Sequence, residues 1–349
     1  MNKDKMRVMA DRVFRDMAGG MAAGLAFVGT ETGLFRAMQG RGAMTESEVV
    51  NASGLQARYV EEWLKGMVAA SYLDYDAQAA TYTLPDEHAF LLASDGTDHF
   101  MGGMFAMLPP LLAVAPRVAT ACRDGGGVPF ADYAPECRHA IDHMNRGNYE
   151  HRLVDYWLKQ LPEVSAALSN GGRMLDVGCG RGFVVLAVKK AFPDAECIGV
   201  DPDAASIAEA RTSAAAAGVA ARYEATTSDA LADTGKFDLI TLCDVLHDLP
   251  APIPVLEGLR ARLAPGGVLL VIEPRVSDNL EENINPLAAM FYGFSMFHCM
   301  TQSLAHGGAG LGACLGPTRT RALFAQAGFS SAATLDIKSP TNLFYAVRA

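Results

Sequence analysis

The 349-residue chain has no apolar run long enough to cross a bilayer. Its longest apolar stretch, Met104 to Val118, is broken by Pro109, Pro110 and Pro116 and falls short of the about 20 residues a spanning helix needs. The amino terminus, Met1-Asn2-Lys3-Asp4-Lys5-Met6-Arg7, is charged and leads into no apolar leader core, so secretion is not expected. Seven cysteines, at 122, 137, 179, 197, 243, 299 and 314, form no CxxC pair. That argues against a disulfide framework and a structural zinc site, and fits a cytoplasmic chain. Positive charge is also in deficit: 29 Lys and Arg face 39 Asp and Glu, a formal charge of −10, which repels polyanions. Half the residues are hydrophobic and 19% are charged, as in soluble domains, and the length suggests two of them.

Local signals give the order of elements. Thr45-Glu46-Ser47-Glu48 has the spacing of a capping box, so a helix is expected to begin there. After a break at Asn51–Gly54, helical periodicity resumes from Gln56 to Ala70, with Tyr59, Trp63, Met67 and Val68 on one face. Tyr72 to Tyr75 and Thr81 to Leu84 then read as a hairpin, completing a winged helix. Residues 101–161 read as mostly helical, with a glycine break at 125–127. From Gly172 strands and helices alternate, with strands expected at 173–177, 196–200, 221–225, 237–242 and 267–273. Two last strands, 332–338 and 342–347, are joined only by Ser339-Pro340-Thr341 and must pair antiparallel.

The first of these strands runs into Asp176-Val177-Gly178-Cys179-Gly180-Arg181-Gly182. Glycines here let a ligand lie against the backbone. A dinucleotide loop normally reads G-x-G-x-x-G, whereas here the third glycine comes one residue early and Asp176 precedes the first by two. A carboxylate beside the loop suits an ammonium group and repels a diphosphate, which favours S-adenosylmethionine (SAM). Asp201, after the second strand, is placed to accept from ribose hydroxyls. Asp229, after the third, suits an adenine amino group. Gly178, Gly180, Ala230 and Cys243 complete the expected cofactor set.

On these motifs residues 172–349 resemble the class I methyltransferase domain, and residues 30–92 resemble the winged-helix domain that precedes it in O-methyltransferases of the plant caffeate and bacterial hydroxyneurosporene type. Glu273-Pro274, Leu280–Pro286 and Phe291–Ser295 are similar to segments of actinobacterial two-domain proteins, some labelled methyltransferases and others transcriptional regulators. The resemblance implies an α/β Rossmann-like domain with a seven-stranded sheet and terminal antiparallel hairpin at 161–349. A winged-helix dimerisation domain would occupy 1–100, and a helical connector that lends residues to the substrate pocket 101–160.

His247, in Cys243-Asp244-Val245-Leu246-His247-Asp248-Leu249, is the candidate base, since imidazole titrates near neutrality. The resemblance places the catalytic base of O-methyltransferases here, and Glu273 matches the first of the two acids that flank it. Asp248 is the third catalytic candidate. The second flanking acid is missing, because Asn283 to Leu335 contains no Asp or Glu. Carbon, nitrogen and sulfur acceptors therefore remain open beside oxygen, and a positioning role for His247 remains open beside catalysis. Ala289 to Thr301 and Met101 to Leu112 are rich in Met and Phe, which suits an apolar aromatic or polyketide-like acceptor. Met290, Tyr292, Met296, His298 and Cys299 are the expected substrate contacts. His298 with His247 and Asp248 offers three possible metal ligands, but no second imidazole stands at fixed helical spacing, and no metal is expected. His139 and His143, four apart, lack a third ligand. A DNA-binding regulator and a SAM sensor without catalysis are the competing functions. Against DNA, the second helix of the winged-helix domain sets Arg58 and Lys65 against Glu61 and Glu62. The expected partners are a small-molecule substrate and a second subunit, with neither nucleic acid nor membrane.

Overall fold

Helix starts and stops in the amino-terminal part follow the local signals. In the computed structural model, which describes residues 1–349, the Glu48 carboxylate accepts from the Thr45 amide at 2.7 Å, and the Glu48 amide donates to the Thr45 hydroxyl at 3.4 Å. The capping box is thus formed. The order is α1 (Lys3–Glu31), α2 (Leu34–Met38), β1 (Met44–Thr45), α3 (Glu46–Ser53), α4 (Ala57–Ala69), β2 (Asp74–Asp76), β3 (Thr81–Thr83) and α5 (Asp86–Leu92). The three strands pair antiparallel in the order β1-β3-β2. One expectation fails on α4: Tyr59 is 80% exposed, and the buried stripe is Val60, Trp63, Leu64 and Met67. Val60 has the i, i+3, i+4, i+7 spacing with those residues, and Tyr59 lies one residue, about 100°, off that line. Trp63 is held twice, donating its indole N–H to the Leu25 carbonyl at 2.9 Å and meeting Phe35 edge-on with ring centroids 5.1 Å apart.

The chain forms two units, Met1–Pro110 with Pro135–Gly147, and Leu111–Ala134 with Asn148–Ala349. Residues 101–160, expected as a connector of their own, are divided between them. They carry α6 (Gly102–Ala106), α7 (Leu108–Ala113), α8 (Ala115–Asp124) and α9 (Glu136–His151). No single helix is long and apolar enough to cross a membrane; only the bent pair Gly102–Ala113 and Ala115–Asp124, 50° apart, reaches that length and composition together.

In the second unit β4 (Arg173–Val177), β5 (Glu196–Asp201), β6 (Arg222–Ala225), β7 (Phe237–Cys243), β8 (Leu263–Pro274), β9 (Ser331–Thr334) and β10 (Asn342–Arg348) form one sheet in the order β6-β5-β4-β7-β8-β10-β9. The first five are parallel, while β10 runs antiparallel between β8 and β9. The final hairpin is present, although β9 ends at Thr334 instead of 338. Helices cover both faces, so strand residues alternate between two cores. Along β8, Val268, Leu270 and Ile272 enter one and Leu269 and Val271 the other. Each such side chain contributes about 1.5–3 kcal/mol of burial. After β6 the chain crosses back to the far side of β4, so β4 has β5 and β7 as neighbours. The carboxyl ends of these strands form the crevice where ligands of open parallel sheets bind.

The other helices of this unit are α10 (Pro162–Ser169), α11 (Phe183–Ala191), α12 (Ala204–Ala216), α13 (Pro252–Arg262), α14 (Pro286–Phe294), α15 (Met300–Ala305) and α16 (Pro317–Gln326). A single π-helical turn, Ser295–Cys299, joins α14 to α15. The glycine break after α8 lies against α15, where the Val128 amide donates to the Thr301 carbonyl at 3.2 Å and to its hydroxyl at 2.9 Å.

Candidate active site

The loop after β4 is built to leave backbone bare. Gly178 has φ +71, and a Cβ there would meet the Val245 side chain at 2.6 Å. Gly180, at φ +50, has nothing within 4 Å of where a Cβ would stand, so its face is open to a ligand. Its amide donates to Asp201 Oδ2 at 2.9 Å, and the Asp203 amide donates to Oδ1 at 2.8 Å. Asp201 is thereby fixed at the end of β5 beside the loop. Asp176 is buried, accepts from the Thr241 hydroxyl at 2.6 Å, and is pushed up to about 7 by burial, with the Thr241 bond opposing and the Asp201 charge adding. A buried carboxyl with one neutral donor and no cation fits the ammonium of an amino-acid ligand. Cys243 ends β7, its thiol pushed up by burial and by the Asp176 charge. Asp229 and Ala230, by contrast, lie on an exposed turn beyond β6, and the Asp229 carboxyl is held low chiefly by the Thr227 side chain.

Next to this loop a 3₁₀ turn, Leu246–Asp248, follows β7 and sets His247 against β8. His247 Nδ1 is 2.8 Å from Glu273 Oε2, with the residues 3% and 2% exposed. Asp248 Oδ1 is 3.6 Å from Nε2. Burial alone would lower the His247 pKa; the charge of Glu273, then of Asp248, overrides it and raises the pKa well above the usual value. Glu273 Oε1 and Asp248 Oδ1 have no hydrogen-bond partner in the protein.

Sequence reasoning passed over Asp244. It takes φ +55, a strained setting for a non-glycine residue, and accepts from Asn342 Nδ2 at 3.1 Å. Burial pushes it up to about 7 against the pull of His247. The Cys-Asp pair at a strand end was the available signal, but its partner on β10 lies 98 residues away.

The expected substrate residues separate. His298 and Cys299, on the π-turn, are buried, and the ligand atoms of Cys299, His247 and Asp248 all lie within 4.8 Å of one another. That is the compact set with which this chain could hold a metal ion. The Cys299 thiol is pushed up to about 12 by burial, so it stands protonated. Met290 is half-buried. Tyr292 and Met296 are 42% and 40% exposed, one turn apart and each one residue, about 100°, round the helix from the buried Phe291 and Ser295. His139 and His143 lie on α9, in the other unit, where His143 faces Asp95 at 3.8 Å and the edge of Phe100.

Residues 20–94 match the family described as Rv2258c-like winged HTH domain, and residues 175–269 the family described as Methyltransferase domain. The ubiquinone biosynthesis O-methyltransferase of Cereibacter sphaeroides is 35% identical over 124 residues, 34% of this chain and 49% of that protein. The chain thus spans about half the length of this curated relative. The human N-acetylserotonin methyltransferase, solved in complex with SAM, superposes with a TM-score of 0.66 at 21% identity, over 97% of this chain and 98% of its own. The mitomycin 7-O-methyltransferase MmcR gives 0.67 at 17% identity over the whole of both chains. At these identities the structural likeness is one of fold. The chain therefore joins a winged helix-turn-helix domain to a methyltransferase domain, in the two-domain architecture of these O-methyltransferases.

Proposed function

We propose that this protein is a SAM-dependent methyltransferase of a small, mainly apolar aromatic or polyketide-like molecule, with transfer to a hydroxyl oxygen. The observation that carries this reading is the buried His247–Glu273 pair beside an open, carboxylate-flanked glycine loop. SAM supplies an electrophilic methyl group on a sulfonium. Asp176, the Gly178–Gly180 backbone and Asp201 would hold it, and Asp229, Ala230 and Cys243 would border its adenosine end. His247, oriented through Nδ1 by Glu273, has Nε2 left to take the acceptor proton. Asp248 and Asp244 supply negative charge around the ring. The names of the similar proteins, concerned with mitomycin, N-acetylserotonin and ubiquinone biosynthesis, support the acceptor class. Met290, His298 and Cys299 would meet the acceptor, and Tyr292 and Met296 belong to the outer wall.

A DNA-binding role finds less support. On α4, Arg58 is paired with Glu61 and Glu62, and Lys65 with Glu61, which leaves little cationic surface for phosphates. The protein acts in the cytoplasm as a homodimer. Along α1, Met6, Met9, Val13, Met17 and Met21 are exposed at three- and four-residue spacing, an apolar stripe suited to a second copy.

His247→Ala tests the base. SAM affinity by calorimetry should stay within a few-fold of wild type while turnover of a phenolic acceptor falls by about 10²–10⁴-fold. Turnover surviving within a few-fold would replace the base by positioning alone.

A further inference from the structure

The segment from Asn283 to Leu335 carries no Asp or Glu, so α14, the π-turn and α15 bring no second acid to His247. What they bring is a thiol. Cys299, at the end of the π-turn, is 7% exposed, and its sulfur lies within 4.8 Å of a ligand atom of His247 and of one of Asp248. The 3₁₀ turn after β7 supplies the imidazole and the carboxylate, and the π-turn supplies the sulfur. A ring nitrogen, a carboxylate oxygen and a sulfur meeting at one buried point form a donor set for a borderline-soft dication. Mg²⁺ and Ca²⁺, which take oxygen ligands, are poorly served by it.

The distances suit one ion. Donors bound at about 2.0–2.3 Å to a tetrahedrally held Zn²⁺ stand about 3.3–3.8 Å apart. His247 Nε2 and Asp248 Oδ1, at 3.6 Å, already have that separation, and a shift of about 1 Å brings the Cys299 sulfur to it. The ring is also aimed: Glu273 Oε2 lies 2.8 Å from Nδ1, the carboxylate–histidine arrangement that fixes the other nitrogen toward a metal. Asp248 Oδ1 is buried and has no hydrogen-bond partner in the protein, so its lone pairs are free to coordinate. Charge balances as well. Zn²⁺ held by one thiolate, one carboxylate and one neutral imidazole is a neutral assembly, which a buried place tolerates where it would not tolerate a bare dication. Glu273 and Asp244, close to the same ring, add negative charge that draws a cation in.

We propose that His247, Asp248 and Cys299 form a site for a single Zn²⁺ ion, and that the ion inhibits methyl transfer by occupying His247 Nε2. The nitrogen that takes the acceptor proton cannot do so while bound to a metal. As the nitrogen–zinc and sulfur–zinc bonds form, the protons carried by His247 Nε2 and the Cys299 thiol pass to solvent, and no electron is transferred. Water completes the fourth position. The site rests on the donor geometry, and the inhibition rests on the base role given to His247 above.

The test uses the full-length protein, stripped of metal by dialysis against a chelator and saturated with S-adenosylhomocysteine. Co²⁺ serves as the spectroscopic probe. One equivalent should give a thiolate-to-cobalt charge-transfer band in the near ultraviolet, and Zn²⁺ should remove the band by displacing the cobalt. Cys299→Ala should lose the band and bind Zn²⁺ at least about tenfold more weakly, and Glu273→Gln should keep the band but weaken Zn²⁺ binding by about 10–100-fold. Cys122→Ser, which removes an exposed thiol, should keep the band. Unchanged S-adenosylhomocysteine affinity shows that each variant folds. In turnover of a phenolic acceptor, Zn²⁺ should inhibit wild type, a chelator should restore the rate, and Cys299→Ala should need at least about tenfold more Zn²⁺ for the same fractional inhibition. No band in wild type, or a band that survives in Cys299→Ala, would overturn the site. Zn²⁺ binding that leaves turnover intact would overturn the inhibition. A metal-free protein that forms the band yet turns over no phenolic acceptor would overturn the base role, and the inhibition with it, while the site stands.

Discussion

One buried imidazole and the carboxyl groups around it set the chemistry at the residue scale. Asp176 and Asp244 are both pushed up to about 7, first by burial. A carboxyl raised in this way supports folding fully below its unfolded value near 4 and loses that support as pH rises through about 7. An ammonium-bearing ligand beside Asp176 reverses this by favouring the carboxylate. His247 moves in the same direction through a different cause: Glu273 and Asp248 overcome its desolvation and hold it protonated. A base must first lose that proton, so kcat/KM should rise with pH along a limb set by the His247–Glu273 pair as a unit. Glu273→Gln removes the charge that stabilises imidazolium, lowering the pKa, so the rising limb should move to lower pH by about 1 unit or more, and the plateau should drop as orientation is lost. A pH profile of initial rates checks this, and an unmoved limb would assign Glu273 a structural role only.

Among elements, the decisive one is the helix at 286–305 with its π-turn. A regular α-helix separates neighbouring side chains by about 100°, yet His298 and Cys299 are both buried, Cys299 with its sulfur beside the His247 and Asp248 ligand atoms. The extra residue in the π-turn accommodates both, as such bulges often do at functional sites. The turn is braced from outside by the 125–129 strand of loop. A Cβ on Gly127 would stand 1.9 Å from the Thr301 carbonyl oxygen, so Gly127→Ala should push this segment off α15 and cost about 1–3 kcal/mol. Urea unfolding should show the loss; a variant as stable as wild type would mean that the loop yields without strain. The periodicity of Met and Phe made this helix visible in the sequence, but the π-turn left no sequence mark, so the burial of both His298 and Cys299 was not legible there.

For the whole molecule, assembly turns on α1. Its exposed methionines and valine extend over residues 6–21, about 24 Å of helix, more apolar surface than a lone helix in water favours. Val13→Asp with Met17→Asp places two charges in that stripe and should convert a dimer to a monomer in sedimentation velocity, with SAM affinity retained because the cofactor residues lie in the other unit. An unchanged sedimentation coefficient would move the interface elsewhere.

The sequence alone determined what depends on neighbours along the chain. The Thr45 capping box, the strand and helix alternation from Gly172, the glycine loop and the acids at strand ends are encoded within a few residues by backbone sterics and hydrogen bonding. The pairing of His247 with Glu273 was legible through the resemblance to O-methyltransferases, and the parallel sheet realises it by bringing successive strand ends to one edge. Tertiary structure alone decided which face of α4 is buried, the bond from Asn342 to Asp244, the division of residues 101–160 between two units, and the approach of Cys299 to His247 and Asp248. Each depends on groups far apart in sequence that packing brings together, and burial then decides which polar atoms find a partner.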